Sequence, residues 1–246
     1  MDVALPWLAP GDPFPTPESA WGLDTPAPGL LAAGGSLDTE TLCRAYAQGT
    51  FPWFSNGQPI LWWAPDPRMV LQVNQFKLHP SLRKTLKKFQ NSPECSITVD
   101  KAFSRVIRTC ATQSRKGQNG TWIVPSMVEA YEQLHALGVA HSAETWVDDK
   151  LIGGLYFVAL GKAVFGESMF AHVTDASKIA LAALVCIAKA QGVPWIDCQQ
   201  NTRHLASLGA AEIPRKTFVA DIQALSSEPD PLWVFDSVYW SQLLSR

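Results

Sequence analysis

Two apolar segments of this chain end in polar groups that a strand entering a core does not need. Trp195-Ile196-Asp197-Cys198-Gln199 runs from an indole and an isoleucine into a carboxylate and an amide. Ala163-Val164-Phe165-Gly166-Glu167-Ser168-Met169-Phe170 puts Glu167 and Ser168 at the end of a second apolar run. An unpaired buried carboxylate costs several kcal/mol or neutralises itself, so such residues are either paired or functional. Two strands with polar ends imply one site at one rim of a sheet. The chemistry on offer is that of carboxylates, which bind cations and amines, and of an amide, which accepts and donates hydrogen bonds but is a very weak base.

The elements around these residues must bring them together. The spacing predicts strands over 141–147, 151–160 and 163–170, joined by the turns Asp148-Asp149-Lys150 and Gly161-Lys162. A long apolar helix is expected over 176–190, capped by Thr174 or Asp175 and stopped at Gly192. A strand over 194–198 and a short helix over 202–208 follow. A crossover helix between two strands implies parallel pairing, which would make Glu167, Ser168, Asp197 and Gln199 converge. The helix N-terminus near Asp175–Ser177 is expected to point into the same region and favour anionic groups.

Upstream, residues 1–35 are rich in Pro and Gly and read as extended coil. Ser36 is expected to start a helix that stops at Gly49, and Asn56-Gly57 signals a hairpin between Trp53-Phe54 and Ile60–Trp63. Pro65-Asp66-Pro67-Arg68 reads as a turn leading into a strand over 69–73. A helix over 79–89 gathers Arg83, Lys84, Lys87 and Lys88 on its outer side. A short strand over 97–99 and helices over 101–111 and 125–137 complete this part, with a polar loop over 114–120 between the helices. Phe218 onward is expected to supply a last strand and a C-terminal helix. The pattern is α+β.

Composition narrows the classes. The 246 residues are 47% hydrophobic, enough for a substantial core, and the net charge of -2 confines any polyanion site to a local patch. The five cysteines are scattered without metal-like pairing, which fits reduced thiols in a cytoplasm. No signal peptide is visible, and the longest apolar run is too short to span a bilayer. The first quarter holds Trp7, Trp53, Trp62 and Trp63 among prolines.

Many ordered motifs carry a family likeness. They include Phe51-Pro52-Trp53-Phe54, Ile60-Leu61-Trp62-Trp63-Ala64-Pro65-Asp66-Pro67-Arg68, Thr121-Trp122-Ile123 and Gly153-Gly154. They continue with Gly166-Glu167-Ser168-Met169-Phe170, Asp175-Ala176-Ser177-Lys178, Ile196-Asp197-Cys198-Gln199 and His204-Leu205-Ala206-Ser207-Leu208-Gly209-Ala210. In these the chain resembles the leucyl/phenylalanyl-tRNA–protein transferases, bacterial N-end-rule enzymes. One departure is Ala171-His172, where the family commonly has Ser-Arg.

The resemblance implies a C-terminal domain over 71–246 with the fold of GCN5-related N-acetyltransferases and a smaller α/β N-terminal domain over 1–70. It implies transfer of Leu, Phe or Met from aminoacyl-tRNA to an N-terminal Arg or Lys of a protein, with no metal or organic cofactor. The reaction is aminolysis of an ester by an α-amine whose ordinary pKa of ~7.7–8.0 leaves a useful neutral fraction, so positioning carries much of the rate. Gln199 is then expected to orient the amine with Asp197 as its electrostatic partner, the departing ribose oxygen collecting a proton. Glu167 and Ser168 are expected to bind the acceptor. Leu155, Val164, Met169 and Ile196 would line the aminoacyl pocket, Trp53 and Trp122 the terminal adenosine, and Arg83, Lys84, Lys87 and Lys88 the tRNA phosphates. Two rivals are an acetyl-CoA-dependent N-acetyltransferase and a non-catalytic tRNA-binding module. The first needs a Gly-rich loop before the long helix, where Ala171–Ser177 has no glycine; the second has no use for Asp197 and Gln199 at a strand end. A Cys198–His204 nucleophile pair has no motif around it.

Overall fold

A computed structural model describes residues 4–113 and 123–245. The first third contains β1 (Trp7–Leu8), β2 (Leu30–Gly34), α1 (Thr39–Ala47), β3 (Phe51–Pro52), β4 (Leu61–Trp63) and β5 (Arg68–Gln72). Next come α2 (Pro80–Gln90), β6 (Cys95–Val99), α3 (Phe103–Thr112), α4 (Pro125–Ala136) and β7 (Ala140–Val147). The chain continues through β8 (Lys150–Leu160), β9 (Ala163–Ala171), α5 (Ala176–Ala190), β10 (Trp195–Gln199) and α6 (Arg203–Ser207). It ends with β11 (Ala211–Ile213), α7 (Arg215–Leu225) and α8 (Ser241–Leu244).

Two sheets form. The smaller has the order β1-β2-β4-β3, and the larger β11-β5-β10-β9-β8-β7-β6. In the larger sheet β9 and β10 are parallel, as the crossover helix requires, while β6 to β9 form an antiparallel meander. One face is covered by α2, α5 and the C-terminal segment through Leu82, Leu86, Ile179, Leu184, Trp240 and Leu243. Helix α5 is apolar nearly all round, which suits a helix buried on most sides. The other face packs on α1, α3, α4, α7 and the small sheet through Tyr46, Trp62, Phe103, Tyr131, Phe165 and Phe218.

The structure corrects several local expectations. Helix α1 starts at Thr39, because Asp38 rather than Ser36 caps it, its Oδ1 accepting the Thr41 amide hydrogen at 2.9 Å. Residues 30–34 are a buried strand, where Pro and Gly on the approach had masked a run without alternation. Phe218 lies in α7, and the last strand precedes it at 211–213. Asp175 stands at the α5 N-cap in the left-handed region (φ 67°) without capping it; its carboxylate instead accepts from Lys178 at 2.7 Å. The predicted loop over 114–120 lies outside the described residues, as does Trp122. Among the described residues no helix is long and apolar enough to cross a membrane, and no group of three or more His, Cys, Asp or Glu side chains could hold a metal ion. Among the described residues no cysteine is joined to another in a disulfide.

Gly153-Gly154 lets α5 and β7 approach β8 closely. A Cβ on Gly153 would stand 2.5 Å from the Ala176 Cβ and 2.8 Å from its carbonyl carbon. Gly153→Ala should therefore push the first turn of α5 away and destabilise the fold by about 1–3 kcal/mol, measured by urea unfolding.

Candidate active site

The site begins with a buried ion pair. Arg68 opens β5, beside β10, and its Nε and Nη2 donate to the two oxygens of Asp197 at 2.8 and 2.7 Å. Both side chains are essentially inaccessible, at 1% and 0% exposure. A pair this deep persists only if the remaining polar atoms are satisfied. Nη1 of Arg68 donates to the Gly49 carbonyl at 2.9 Å, and the guanidinium lies over the Phe51 and Phe218 rings. Asp197 Oδ1 also accepts the backbone N–H of Gln199 at 2.9 Å. The sequence reading passed over Arg68 as part of a turn. The signal for it was the buried carboxylate itself, which demands a cation.

Two β-bulges then aim the working side chains. Between β8 and β9 the register steps from Tyr156↔Ser168 to Phe157↔Gly166, leaving Glu167 as the extra residue. Between β10 and β5 it steps from Asp197↔Val70 to Gln199↔Met69, leaving Cys198 extra. Gln199 sits in the left-handed region at φ 60°, which is uncommon for a non-glycine residue. Bulges bend a strand and redirect its side chains. The parallel pairing of β9 and β10 runs through Ile196↔Val164 and Asp197↔Phe165. Past it, Gln199 Nε2 donates to Glu167 Oε1 at 3.0 Å.

Glu167 has two further donors that the sequence reading missed. Tyr46 of α1 reaches Oε1 at 2.7 Å and Tyr131 of α4 reaches Oε2 at 3.3 Å, and the two phenol oxygens are in contact with each other, so two hydroxyl hydrogens are shared among three contacts. Both tyrosines are buried and lie at helical spacing, so in sequence they read only as core. Burial is the largest influence on Glu167 and pushes its carboxyl up to about 7, with the nearby Asp197 charge adding to it and the three donors opposing. Burial likewise drives both phenols well above their ordinary range.

A cavity of about 510 Å³ opens where β9 and β10 part. Its apolar lining includes Leu155, Met169, Leu181, Leu184, Ile196 and Leu205; its polar lining includes Glu167, Ser168, Gln199, Thr202 and His204, with Trp53 beside them. Leu155, Met169 and Ile196 thus stand where expected. Val164 does not line the cavity: it is fully buried where β9 and β10 still pair. The first turn of α5 does not line it either, since it packs against Gly153 and Thr145. Asp197 is also not the partner of the Gln199 amide. It holds that residue's backbone, and the amide hydrogen goes to Glu167. Burial pushes the Cys198 thiol up, so it stays protonated and is no nucleophile at neutral pH.

The cationic face of α2 is narrower than expected. Lys84, Lys87 and Lys88 are exposed, but Arg83 is half-buried and donates to the Leu243 and Leu244 carbonyls at 3.1 and 3.3 Å.

Residues 70–223 match the model of the family described as leucyl/phenylalanyl-tRNA protein transferase, and residues 35–66 match that of its N-terminal domain. The chain belongs to this family. It is 62% identical to the leucyl/phenylalanyl-tRNA–protein transferase of a Polaromonas species, over 98% of this chain and 94% of the relative. It is 60% identical to that of Albidiferax ferrireducens, over 98% and 95%. Among solved structures it is similar to L-PGS from Bacillus licheniformis at 11% identity and a TM-score of 0.40, over 87% of this chain and 72% of that one. That likeness is too distant to bear on the fold. Transferase membership sets aside both rivals, the acetyl-CoA enzyme and the non-catalytic tRNA binder.

Arg68→Ala should strand the Asp197 charge in the interior and cost about 3–5 kcal/mol in chemical unfolding. Glu167 carries a pH signature of its own. Its folded-state pKa is raised from 4.5 to about 7, so its ionisation opposes folding as pH rises through that window and the penalty is complete above it. Glu167→Gln should therefore stabilise the protein more at about pH 8 than at about pH 4.5, by up to roughly 3 kcal/mol, in melts across pH.

Proposed function

We propose that this chain transfers leucine, phenylalanine or methionine from aminoacyl-tRNA to proteins that begin with Arg or Lys, marking them for N-end-rule degradation in the cytoplasm. The observation that carries this reading is the junction of an apolar cavity with the Glu167–Gln199 rim. An unbranched apolar side chain fits against Leu155, Met169 and Ile196, its burial worth about 1.5–3 kcal/mol. The ester carbonyl then lies at the rim. Trp53, 36% exposed beside the cavity, stacks on the terminal adenine and contributes about 1–3 kcal/mol.

Glu167 and Ser168 receive the cationic acceptor. Gln199 orients the incoming amine through its amide oxygen, since its amide hydrogen is already given to Glu167. Asp197 is a positioning residue that fixes the Gln199 backbone. The nucleophile is an amine and the electrophile an activated ester, so the reaction balances without cofactor or metal. Lys84, Lys87 and Lys88 meet the phosphates of the tRNA and read charge rather than base. The small sheet with residues 1–70 forms the N-terminal domain. Residues 71–246 form an acyltransferase core of the GCN5-related type, a reading supported by the antiparallel meander and the parallel pair that parts around the cavity.

Purified protein given radiolabelled Leu-tRNA and an Arg-initiated peptide should yield leucyl-peptide, and a Glu-initiated peptide should not react; no product with the Arg peptide would end this reading. Gln199→Ala should slow transfer about a hundredfold while tRNA binding persists. Reversing Lys84, Lys87 and Lys88 to Glu should weaken aminoacyl-tRNA binding and lower the slope of log affinity against log salt by about 2–3. An unaltered slope would leave those lysines as a solvated face.

A further inference from the structure

The two carboxylates at this site are built for opposite tasks. Asp197 has both oxygens on Arg68, a permanent cation, and 0% exposure. Its Oδ1 also accepts the Gln199 backbone N–H. Among the described residues Glu167 has no cation for a hydrogen-bond partner; its partners there are two phenols and an amide. We infer that Glu167 is the group that takes the proton from the acceptor's α-ammonium, and that Tyr46 and Tyr131 are positioning residues that serve its carboxyl in both protonation states. The inference rests on the transfer reaction proposed above and adds its proton path.

Among the described residues Oε1 receives two donors, Tyr46 at 2.7 Å and Gln199 at 3.0 Å, and Oε2 only the longer contact, Tyr131 at 3.3 Å. Oε2 is therefore the oxygen with room for a proton. A phenol both donates and accepts, and its hydrogen turns about the C–O bond. With Glu167 ionised, Tyr46 donates to Oε1 and Tyr131 to Oε2. With Glu167 protonated, Oε2–H donates to Tyr131, Tyr131 to Tyr46, and Tyr46 still to Oε1. The contact between the two phenols makes this second arrangement possible. No hydrogen bond is lost in the change, and no heavy atom needs to move. A carboxyl kept only for structure has no need of such a cluster.

The steps balance. The ammonium gives one proton to the Glu167 carboxylate and becomes a neutral amine. Its lone pair attacks the ester carbonyl, forming the C–N bond, and the bond to the 3′ ribose oxygen breaks. A second nitrogen proton leaves with that oxygen as the alcohol. Glu167 then releases its proton to water, so one ammonium and one ester give one amide, one alcohol and one proton. The groups facing Glu167 are Tyr46 from α1, Tyr131 from α4 and Gln199 and Asp197 from β10, the last neutralised by Arg68 from β5; Cys198 and His204 line the same cavity. Burial raises Glu167 to about 7, close to the range of an α-amine, which suits a proton exchange between the two.

The test is a single-turnover pH profile with Leu-tRNA and a saturating Arg-initiated peptide. In the wild type the rate should rise through a midpoint below the ordinary α-amine range. Glu167→Gln should move that midpoint up into the amine's own range, slowing transfer at least about tenfold near pH 6.5 and converging on wild type near pH 9. Tyr46→Phe removes a donor that favours the carboxylate, so its midpoint should shift upward by about half a unit to one unit. Tyr131→Phe removes a partner from both states, and should slow transfer with a smaller shift. Far-UV spectra and melts check that each variant is folded, and the two Phe variants are independent of one another. Equal slowing at every pH in Glu167→Gln, or a midpoint unmoved in both folded Phe variants, would overturn the inference. Transfer by the wild type with coincident midpoints sinks this proton path alone. No transfer by the wild type at any pH sinks the proposed function instead.

Discussion

The Arg68–Asp197 pair is the constraint on which the site depends. A guanidinium with one face on Phe51 and another on Phe218 cannot be traded for a flexible ammonium without losing the fork that matches a carboxylate. Its three polar arms join strands β5 and β10 to the loop after α1. Because Asp197 also accepts the backbone N–H of Gln199, the uncommon backbone of Gln199 is set from inside the core. The aim of that side chain into the cavity is thus decided by a contact that no substrate touches.

Around that anchor the sheet does two things at once. Its closed part, where β9 and β10 pair, is packed like any interior, with Val164, Phe165, Trp195 and Ile196 buried. Its open part, one residue further on, exposes polar atoms to a greasy hollow. The change takes place over a few ångströms because each strand takes in an extra residue at that point. Both faces of the sheet contribute: α5 gives the hollow its apolar wall, and α1 and α4 give Glu167 its phenols. Both acidic residues border the hollow, but Asp197 has its two oxygens on a guanidinium while Glu167 is held by phenols and an amide.

Much of this was legible from residue order. The turns Asp148-Asp149-Lys150 and Gly161-Lys162 marked the ends of β7 to β9, the apolar stretch after Asp175 marked α5, and a helix between two strands required the parallel pairing that brings Glu167 near Gln199. What could not be read has physical reasons. An extra residue in a strand changes neither composition nor hydrophobicity, so both bulges were invisible. Arg68 and Asp197 meet across most of the chain, and nothing local to Pro65–Arg68 announces a buried cation. Tyr46 and Tyr131 sit at positions where a helix needs bulk, and their hydroxyls matter only once Glu167 of β9 meets both of them. Arg83 read as one of four surface cations because its partners, the carbonyls of Leu243 and Leu244, arrive from the far end of the chain.

The irregularity in β9 has a consequence for how the strand is counted. Val164 and Met169 are an odd number of positions apart, five, as are Phe165 and Phe170. An unbroken strand would turn the members of each couple to opposite sides. Here Val164 and Met169 pack with α5, and Phe165 and Phe170 pack with the helices across the sheet. The strand is in effect two half-strands whose parity differs, spliced at one glutamate. Removing that glutamate would leave the members of each couple four positions apart, so an unbroken strand would keep both halves facing as they do now and lose only the carboxyl at the splice.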